Sequence, residues 1–323
     1  MKTELSIIIV SYNTRDSLLA CLQSIADQDY QGAIEIIVTD NASRDGSADA
    51  VARAFPAVKL IRSDTNLGFG NANNRALDIA TGRYIVLLNP DALLATDVLK
   101  KAVLAMDADA NVGMAGARLV GTNGEWQPSA RMFPSLINEI LVLSGLSGRF
   151  PKSRWLGRVD RSWADPLQAA DVDWVTGAFG IIRRDLIDTL GFFDPRYFLY
   201  YEEVDFCHRI RKQAWRICYW PELVVTHLGG ESAKTVTHVE FNSNGSQIDL
   251  WRMYSQLLYY RKWHGAWGAW SVMALEQAWH SIRVAKNQRS APAKAAASKA
   301  IIQKWRQAWL DTQGGKQSPP QPW

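Results

Sequence analysis

Four apolar runs, each giving way to a helical pattern, constrain this chain more than any other feature. They are "LSIIIVSYN" (5–13), "IEIIVTDNAS" (34–43), "VKLIRSD" (58–64) and "RYIVLLNPD" (83–91). An unbroken apolar run, rather than an alternating one, is what a strand covered on both faces requires. Between and after them lie "TRDSLLACLQSIADQD", with Leu18, Leu22 and Ile25 at helical spacing and Thr14 as a cap, then "SADAVARAF", "GNANNRALDIA" and "TDVLKKAVLAM". Strands alternating with helices at this pitch predict a doubly wound α/β fold with a mostly parallel sheet. Ligands of such sheets sit outside the carboxyl ends of the strands. Three of the four runs end in polar groups: Ser11-Tyr12-Asn13, Asp40-Asn41 and Asn89-Pro90-Asp91. Those ends are expected to meet on one edge.

The fold alone names no ligand. "NLGFGNANN" has Gly68 and Gly70 but no third glycine of a dinucleotide fingerprint, and no phosphate-loop motif occurs. The second half is less regular. "GRFPKSRWLGRVDRSWADP" reads as a long polar loop, and "VDWVTGAFGIIRRDLI" as renewed apolar structure. "YFLYYEEVDFCHRIRKQAW" runs from an aromatic stretch into an amphipathic helix, and "RICYWPELVVTHLGG" holds a strand ending near His227. Three cysteines, odd in number and without paired spacing, argue against a disulfide framework or a zinc site. Cys207, His208 and Cys218 are expected to be packing residues. The first four residues lead straight into a strand, so no secretory signal is expected, and no apolar window approaches the length of about 18 residues that spans a bilayer.

Several side chains are candidates for chemistry. Asp40 and Asp91 each close a strand, where an Asp can simply cap a helix. Their repetition favours a shared ligand: one carboxylate can accept a nucleobase imide N–H, and another can bind a divalent cation. Glu202, Glu203 and Asp205 place three acids within four residues. They suit a solvated helix N-terminus, or, after the aromatic "RYFLYY", a general base in a cleft. On a helix Glu202 and Asp205 share a face and Glu203 points elsewhere. His227 ends a strand before Gly229 and Gly230, which fits either a structural histidine or a ligand beside backbone that lets phosphate approach.

Taken in order, "SIIIVSYN", "DNASRDGS", "NLGFGNANNRA", "GRYIVLLNPDA", "DWVTGAFGIIRR", "GFFDPRYFLYYEEVDFCHR", "VVTHLGGES" and "LLYYRKWHG" resemble the family 2 inverting glycosyltransferases, in their rhamnosyltransferase-like branch. The resemblance covers roughly residues 4–265. It implies the type A nucleotide-sugar transferase fold over residues 1–250, with a nucleotide-sugar half (1–120) and an acceptor half (121–250). It implies that Ser11, Tyr12 and Asp40 bind the nucleotide, and that Asn66, Asn73 and Asn74 line the donor pocket. Trp174 and Gly177 would lie under the transferred sugar. Asp91 falls where an Asp-x-Asp motif holds Mg2+ or Mn2+, with His227 as a second ligand; Asn89 replaces the first acid of that motif. Glu203 falls at the base, with Glu202 or Asp205 as alternatives, and is expected to be ionised at neutral pH. The implied donor is a nucleotide-diphosphate sugar, dTDP-rhamnose by branch, with UDP-sugars open.

Charge is unevenly spread. Residues 251–323 hold 11 Lys+Arg against 2 Asp+Glu and 8 of the 14 tryptophans, whereas the rest carries 25 against 30. Trp263, Trp267 and Trp270 fall on one helical stripe, so residues 251–290 read as an amphipathic helix that lies on a membrane surface. The Ala/Lys run after it, within 291–323, reads as a low-complexity, partly disordered tail. These features suggest a cytoplasmic enzyme, peripheral on the inner membrane face, with a lipid-linked saccharide acceptor in cell-surface polysaccharide synthesis. Arg154, Trp155, Arg158 and Trp163 could border that acceptor. The acidic body and the lack of a suitable motif argue against nucleic acid. A nucleotidyltransferase would need an activating basic loop after the first strand, and a catalytically silent sugar-nucleotide-binding or scaffold protein would lack the base or the metal ligand.

Overall fold

A computed structural model describes residues 3–229 and 246–319. In chain order the strands are β1 Leu5–Ser11, β2 Ile34–Asp40, β3 Lys59–Arg62, β4 Tyr84–Leu88, β5 Ala92–Leu94, β6 Val112–Val120, β7 Trp126–Gln127, β8 Ala130–Arg131, β9 Ala170–Asp171, β10 Trp174–Val175, β11 Phe179–Arg183 and β12 Arg216–His227. The helices are α1 Arg15–Ala26, α2 Ser47–Ala54, α3 Phe69–Leu77, α4 Val98–Ala108, α5 Leu136–Leu143, α6 Leu146–Arg149, α7 Arg184–Leu190, α8 Glu202–Lys212, α9 Ser246–Asn287 and α10 Pro292–Asp311.

The main path of the sheet is β3-β2-β1-β4-β11-β6-β12-β5. The four runs picked out in the sequence are its parallel block, β1 to β4. β11 inserts antiparallel between β4 and β6, and β12 runs parallel to β6. The expected doubly wound sheet is present in a mixed form. Apolar residues on both faces of β1 explain its unbroken run. Leu5, Ile7 and Ile9 pack with Leu18, Leu22 and Ile25 of α1 and with α4, while Ile8 joins the core under α3, α7 and α8.

The chain visits β2 and β3 on one side of β1 and returns to β4 on the other. The reversal opens a crevice at the carboxyl edge, where ligands of such sheets bind. Ser11 is in register with Asp40 there. Because β11 is antiparallel to both β4 and β6, β12 runs in the direction of β4 and delivers His227 to the same edge.

A third core forms where α9 and α10 cover Tyr197, Phe198 and Val204. Two expectations for the C-terminal region change here. The Ala/Lys run forms α10, whose Trp305 and Ala308 are buried in that core, rather than a low-complexity tail. Alanine is the strongest helix former, and a biased composition does not prevent packing. The tryptophan stripe is interrupted by Gly265, which leaves helical geometry at φ 69 and splits α9 in two. Trp263 stacks on His208 at 3.9 Å between ring centres, whereas Trp267 and Trp270 are exposed.

Candidate functional site

The crevice is built at the ends of β1, β2, β4 and β12. Thr14 occupies the N-cap of α1 but makes no side-chain cap; its hydroxyl pairs with Ser11 Oγ at 2.9 Å. Tyr12 is half-buried on the loop after β1. Asp40 is buried and splits its carboxylate. Oδ2 accepts from the Ser43 N–H at 3.3 Å, and Oδ1 is buried without a hydrogen-bond partner among the described residues. Burial raises its pKa. A buried acceptor left unmatched costs about 1–3 kcal/mol and is a place where a ligand N–H fits.

The asparagines divide. Asn66 Oδ1 accepts from Asn41 Nδ2 at 2.8 Å and from the Gly68 N–H at 2.9 Å, which shapes the turn into α3. Gly68 is required there. Its φ is +79, and a Cβ would collide with the Phe198 carbonyl. The neighbouring Phe69 N–H donates to that same carbonyl at 2.8 Å, which ties this turn to the aromatic stretch before α8. Asn73 Nδ2 donates to the Phe69 carbonyl at 2.9 Å, within α3. Asn74 exchanges two hydrogen bonds with the Phe193 backbone, at 2.8 and 3.0 Å. The Asn74 amide thus joins α3 to the chain before α8, and Asn73 is buried with one amide N–H engaged.

Asp91 and His227 face each other, with Oδ1 3.4 Å from Nε2. Pairing of β12 with β5 sets this approach, since His227 is in register with Ala92. Gln127, which the sequence reading passed over, fixes the ring. Its Oε1 lies 3.0 Å from His227 Nδ1, and its Nε2 donates to the His227 carbonyl at 3.0 Å. With the proton on Nδ1, the Nε2 lone pair is directed at the side of Asp91, where Asn89 Nδ2 also lies at 3.5 Å. One carboxylate and one imidazole lone pair fit a divalent cation that also takes phosphate oxygens. Among the described residues no group of three or more His, Cys, Asp or Glu could hold an ion by itself. Gly229 follows His227 with φ 74, and Gly230 lies outside the described residues.

The three acids of α8 have three fates. Tyr200 and Tyr201 both adopt left-handed backbone, φ 69 and 70, immediately before the helix. Such conformations cost about 1–3 kcal/mol each and concentrate at functional sites. Asp205 is fully buried and fully partnered by Arg209 Nε (3.1 Å), Lys262 Nζ (2.8 Å) and Trp263 Nε1 (2.8 Å). It is therefore a structural acid and not a base. Glu202 and Glu203 each keep a buried Oε2 without a partner among the described residues. Burial raises both pKa values, and the neighbouring Glu203 pushes Glu202 up further. Glu203 is favoured as the anion by its own backbone N–H, the Arg131 charge and the Gly177 N–H. Burial thus makes it ionise at a higher pH than a free glutamate does.

Gly177 joins the two halves of the site. Its N–H lies close enough to Glu203 to favour the carboxylate, while the next residue, Ala178, accepts the Asn89 N–H at 3.1 Å. The Asn-Pro-Asp turn and Glu203 therefore both adjoin the Gly177-Ala178 segment. A Cβ on Gly177 would press on the Phe69 ring at 3.4 Å. Trp174 donates from Nε1 to the Met132 carbonyl at 2.9 Å, and the Arg131 guanidinium lies 5.5 Å from its ring centre. Arg131 was also missed in the sequence, where nothing relates it to Glu203. Arg183 is structural, donating to the carbonyls of Val112 (2.8 Å), Met106 (2.5 Å) and Asp109 (2.8 Å). Cys21, Cys207 and Cys218 are buried and free, as packing residues should be.

Known proteins share this fold. A solved mannosyltransferase from Pyrobaculum calidifontis, in complex with GDP-Man and Mn2+, superposes with a TM-score of 0.53 at 19% identity, covering 97% of this chain and 87% of that one. The fold is thus that of a type A sugar transferase. In sequence, the N-acetylglucosaminyl-diphospho-decaprenol L-rhamnosyltransferase of Mycobacterium tuberculosis is 28% identical over 239 residues, 70% of this chain and 76% of the relative. A beta-1,3-glucosyltransferase of Escherichia coli, WfaP, named for UDP-Glc and alpha-D-GlcNAc-diphosphoundecaprenol, is 33% identical over 105 residues, 32% of this chain and 41% of the relative. The profile described as "Glycosyl transferase family 2" matches residues 6–190, which contain Asp40, the Asn-Pro-Asp turn and Gly177. With β1 to β4 and their polar ends inside that match, the chain belongs to glycosyl transferase family 2.

Proposed function

We propose that this glycosyltransferase moves a sugar, with inversion, from a nucleotide diphosphate to a lipid-linked saccharide. The observation that carries the reading is the Asp91–His227 pair at 3.4 Å, next to a turn tied by the Asn89 N–H to the Ala178 carbonyl, with the unmatched Glu203 Oε2 close to Gly177. It puts a leaving-group site and an unpartnered carboxylate at one sheet edge. The nucleobase stacks on Tyr12, and the free Asp40 oxygen accepts its imide N–H. A Mg2+ or Mn2+ held by Asp91 and His227 supplies neutralising charge for the diphosphate.

Glu203 takes the proton from the acceptor hydroxyl, a role typically worth about 10²- to 10⁴-fold in rate. The acceptor oxygen bonds to the anomeric carbon as the carbon–phosphate oxygen bond breaks, and the electron pair leaves with the nucleoside diphosphate. Arg131 steadies the Glu203 carboxylate before transfer. Trp174 and Gly177 form the floor under the sugar.

Rhamnose on dTDP is the favoured donor, supported by the mycobacterial relative; the WfaP match keeps UDP-sugars in view. Both relatives are named for prenyl-diphosphate acceptors, which supports a lipid-linked saccharide here. No helix among the described residues is long and apolar enough to cross a membrane. We place the enzyme at the inner membrane face as a peripheral protein in polysaccharide synthesis. The test is transfer from dTDP-rhamnose to a GlcNAc-diphosphoryl lipid, with and without Mn2+, and the product anomer read by NMR. A retained configuration, or equal transfer with metal removed, would overturn the reading.

A further inference from the structure

Helix α5 turns polar side chains inward and both of its isoleucines outward. Its buried residues include Asn138, and Glu139 accepts inward-facing bonds from Gln256 Nε2 (2.9 Å) and Tyr260 OH (3.2 Å) of α9. Leu141 is buried beside Asn138, but both isoleucines and Val142 are exposed: Ile137 is 61% exposed, Ile140 47% and Val142 52%. The exposed apolar set continues through Leu146 of α6 to Phe150 at 44% and Trp155 at 79%. A helix that turns its polar side chains into the protein and its isoleucines out fits an apolar surrounding on that side.

The charge around this surface selects the surrounding. Residues 140–159 contain Arg149, Lys152, Arg154 and Arg158 and no acid. Lys152 and Arg154 are exposed beside Trp155. Further on, Arg154 and Arg161 both lie against Trp163, 4.5 and 5.3 Å from its ring centre. Arg158 Nε and Trp163 Nε1 are buried donors with no acceptor among the described residues. Apolar side chains flanked by cations and tryptophan are the pattern of an interfacial segment on anionic lipid, whose phosphates accept from arginine.

We propose that α5, α6 and the loop over residues 150–163 form a lipid-docking wedge. Ile137, Ile140 and Phe150 enter the acyl boundary, and the cations engage anionic headgroups. The wedge, rather than the tryptophans of α9, anchors the enzyme. Its position follows from the chain: α5 comes shortly after β8, which pairs with β10 and so places Arg131 opposite Trp174. A lipid-linked acceptor held at the wedge would reach Glu203 from the side of Arg131. That last step rests on the acceptor reading above; membrane docking does not.

The test is co-sedimentation of the full chain with vesicles of phosphatidylglycerol and phosphatidylcholine at low salt. Wild type should pellet, and more weakly with phosphatidylcholine alone. Ile137→Asp/Ile140→Asp should lower the vesicle partition at least about tenfold, because two isoleucines no longer leave water. Its Tm, and its stabilisation by nucleoside diphosphate with Mn2+, should stay at wild-type values. Arg154→Glu should weaken binding to anionic vesicles only. Trp267→Ala/Trp270→Ala should bind as wild type. The proposal is overturned if wild type stays in the supernatant, if the isoleucine variant pellets equally, or if only the tryptophan variant is lost. It is also overturned if light scattering finds a dimer that the isoleucine variant dissolves, since a second copy then covers the face. Transfer to a water-soluble acceptor separates the two readings: its absence with vesicle binding intact would count against the function alone.

Discussion

The two sides of α8 make different uses of the same chemistry. Glu203 and Asp205 stand two residues apart; Asp205 is fully buried, and Glu203 is half-buried with its Oε2 shielded from water. Asp205 meets a lysine, an arginine and an indole N–H supplied largely by α9. Glu203 meets backbone N–H groups and a more distant arginine, and keeps one oxygen unmatched. Burial with partners locks an acid into the scaffold, and burial without them leaves it available for a reactant. The donor edge sorts the same way: both polar atoms of the Asn74 amide bond the Phe193 backbone, whereas Asp40 Oδ1 has no partner among the described residues.

The sharpest attack on this contrast is Glu203→Gln. It should cut transfer by about 10²- to 10⁴-fold while leaving nucleoside-diphosphate binding in place, measured by turnover and by thermal shift. Glu202→Gln imitates the protonated carboxyl that burial and Glu203 impose, and should retain most activity. The exchange of these two outcomes would move the base by one residue. The pH profile adds a signature. A raised carboxyl pKa means that the base gains its proton while pH is still above the ordinary glutamate value of about 4.3. Transfer should therefore fall on the acid side at a higher pH than for a free carboxylate, and that limb should be unchanged in Glu202→Gln.

Asp205→Asn probes the other side. Removing the charge from a buried network leaves Lys262 and Arg209 less well matched and should lower stability by about 3 kcal/mol, read from urea denaturation. Folded enzyme should keep its kcat. Loss of transfer at unchanged stability would erase the distinction between Asp205 and Glu203.

Gln127→Ala should have a smaller effect, confined to the metal side. Without Gln127 the His227 ring loses its tautomer lock, and half-saturation by Mn2+ should rise about 10- to 100-fold with activity recovering at high metal. An unchanged metal dependence would mean that His227 does not serve as a ligand.

Much of this was legible in the sequence because it is local. Continuous apolar runs such as Ile7 to Val10 belong only in a strand covered on both faces, and the acids that end them fall at one edge by topology. What escaped notice depends on distant pairing. Nothing in "EEVD" announces that Lys262 and Trp263 will cover Asp205 and not Glu203. Gln127 meets His227 across 100 residues, from a two-residue strand too short to have a pattern. The break at Gly265 had a local signal, glycine between Trp263 and Trp267, but the helical spacing of the tryptophans outweighed it. The antiparallel entry of β11 is likewise invisible in "FGIIR", since an apolar run carries no direction. Helix α5 misleads for another reason: its apolar residues look like core, and only the partners of Glu139 reveal which face is turned inward.

Asp40→Asn is the smallest and most discriminating change. The variant keeps one oxygen for the Ser43 N–H, so the turn after β2 should hold and stability should scarcely move. At the orphan position it presents an NH2 group where the carboxylate had an acceptor, and a nucleobase imide N–H would then meet another donor. The loss of one such hydrogen bond to a charged group is worth about 1.5–3 kcal/mol, so nucleoside-diphosphate affinity should fall about tenfold or more. The rate at saturating donor should be little affected, because the base of the nucleotide is remote from the bond that breaks. Since burial raises the Asp40 pKa, wild-type donor affinity should also weaken as acid protonates that carboxyl, whereas the asparagine variant should lack this dependence. Isothermal titration across pH distinguishes the cases: equal affinities and equal pH profiles would mean that the unmatched oxygen at the end of β2 receives nothing from the donor.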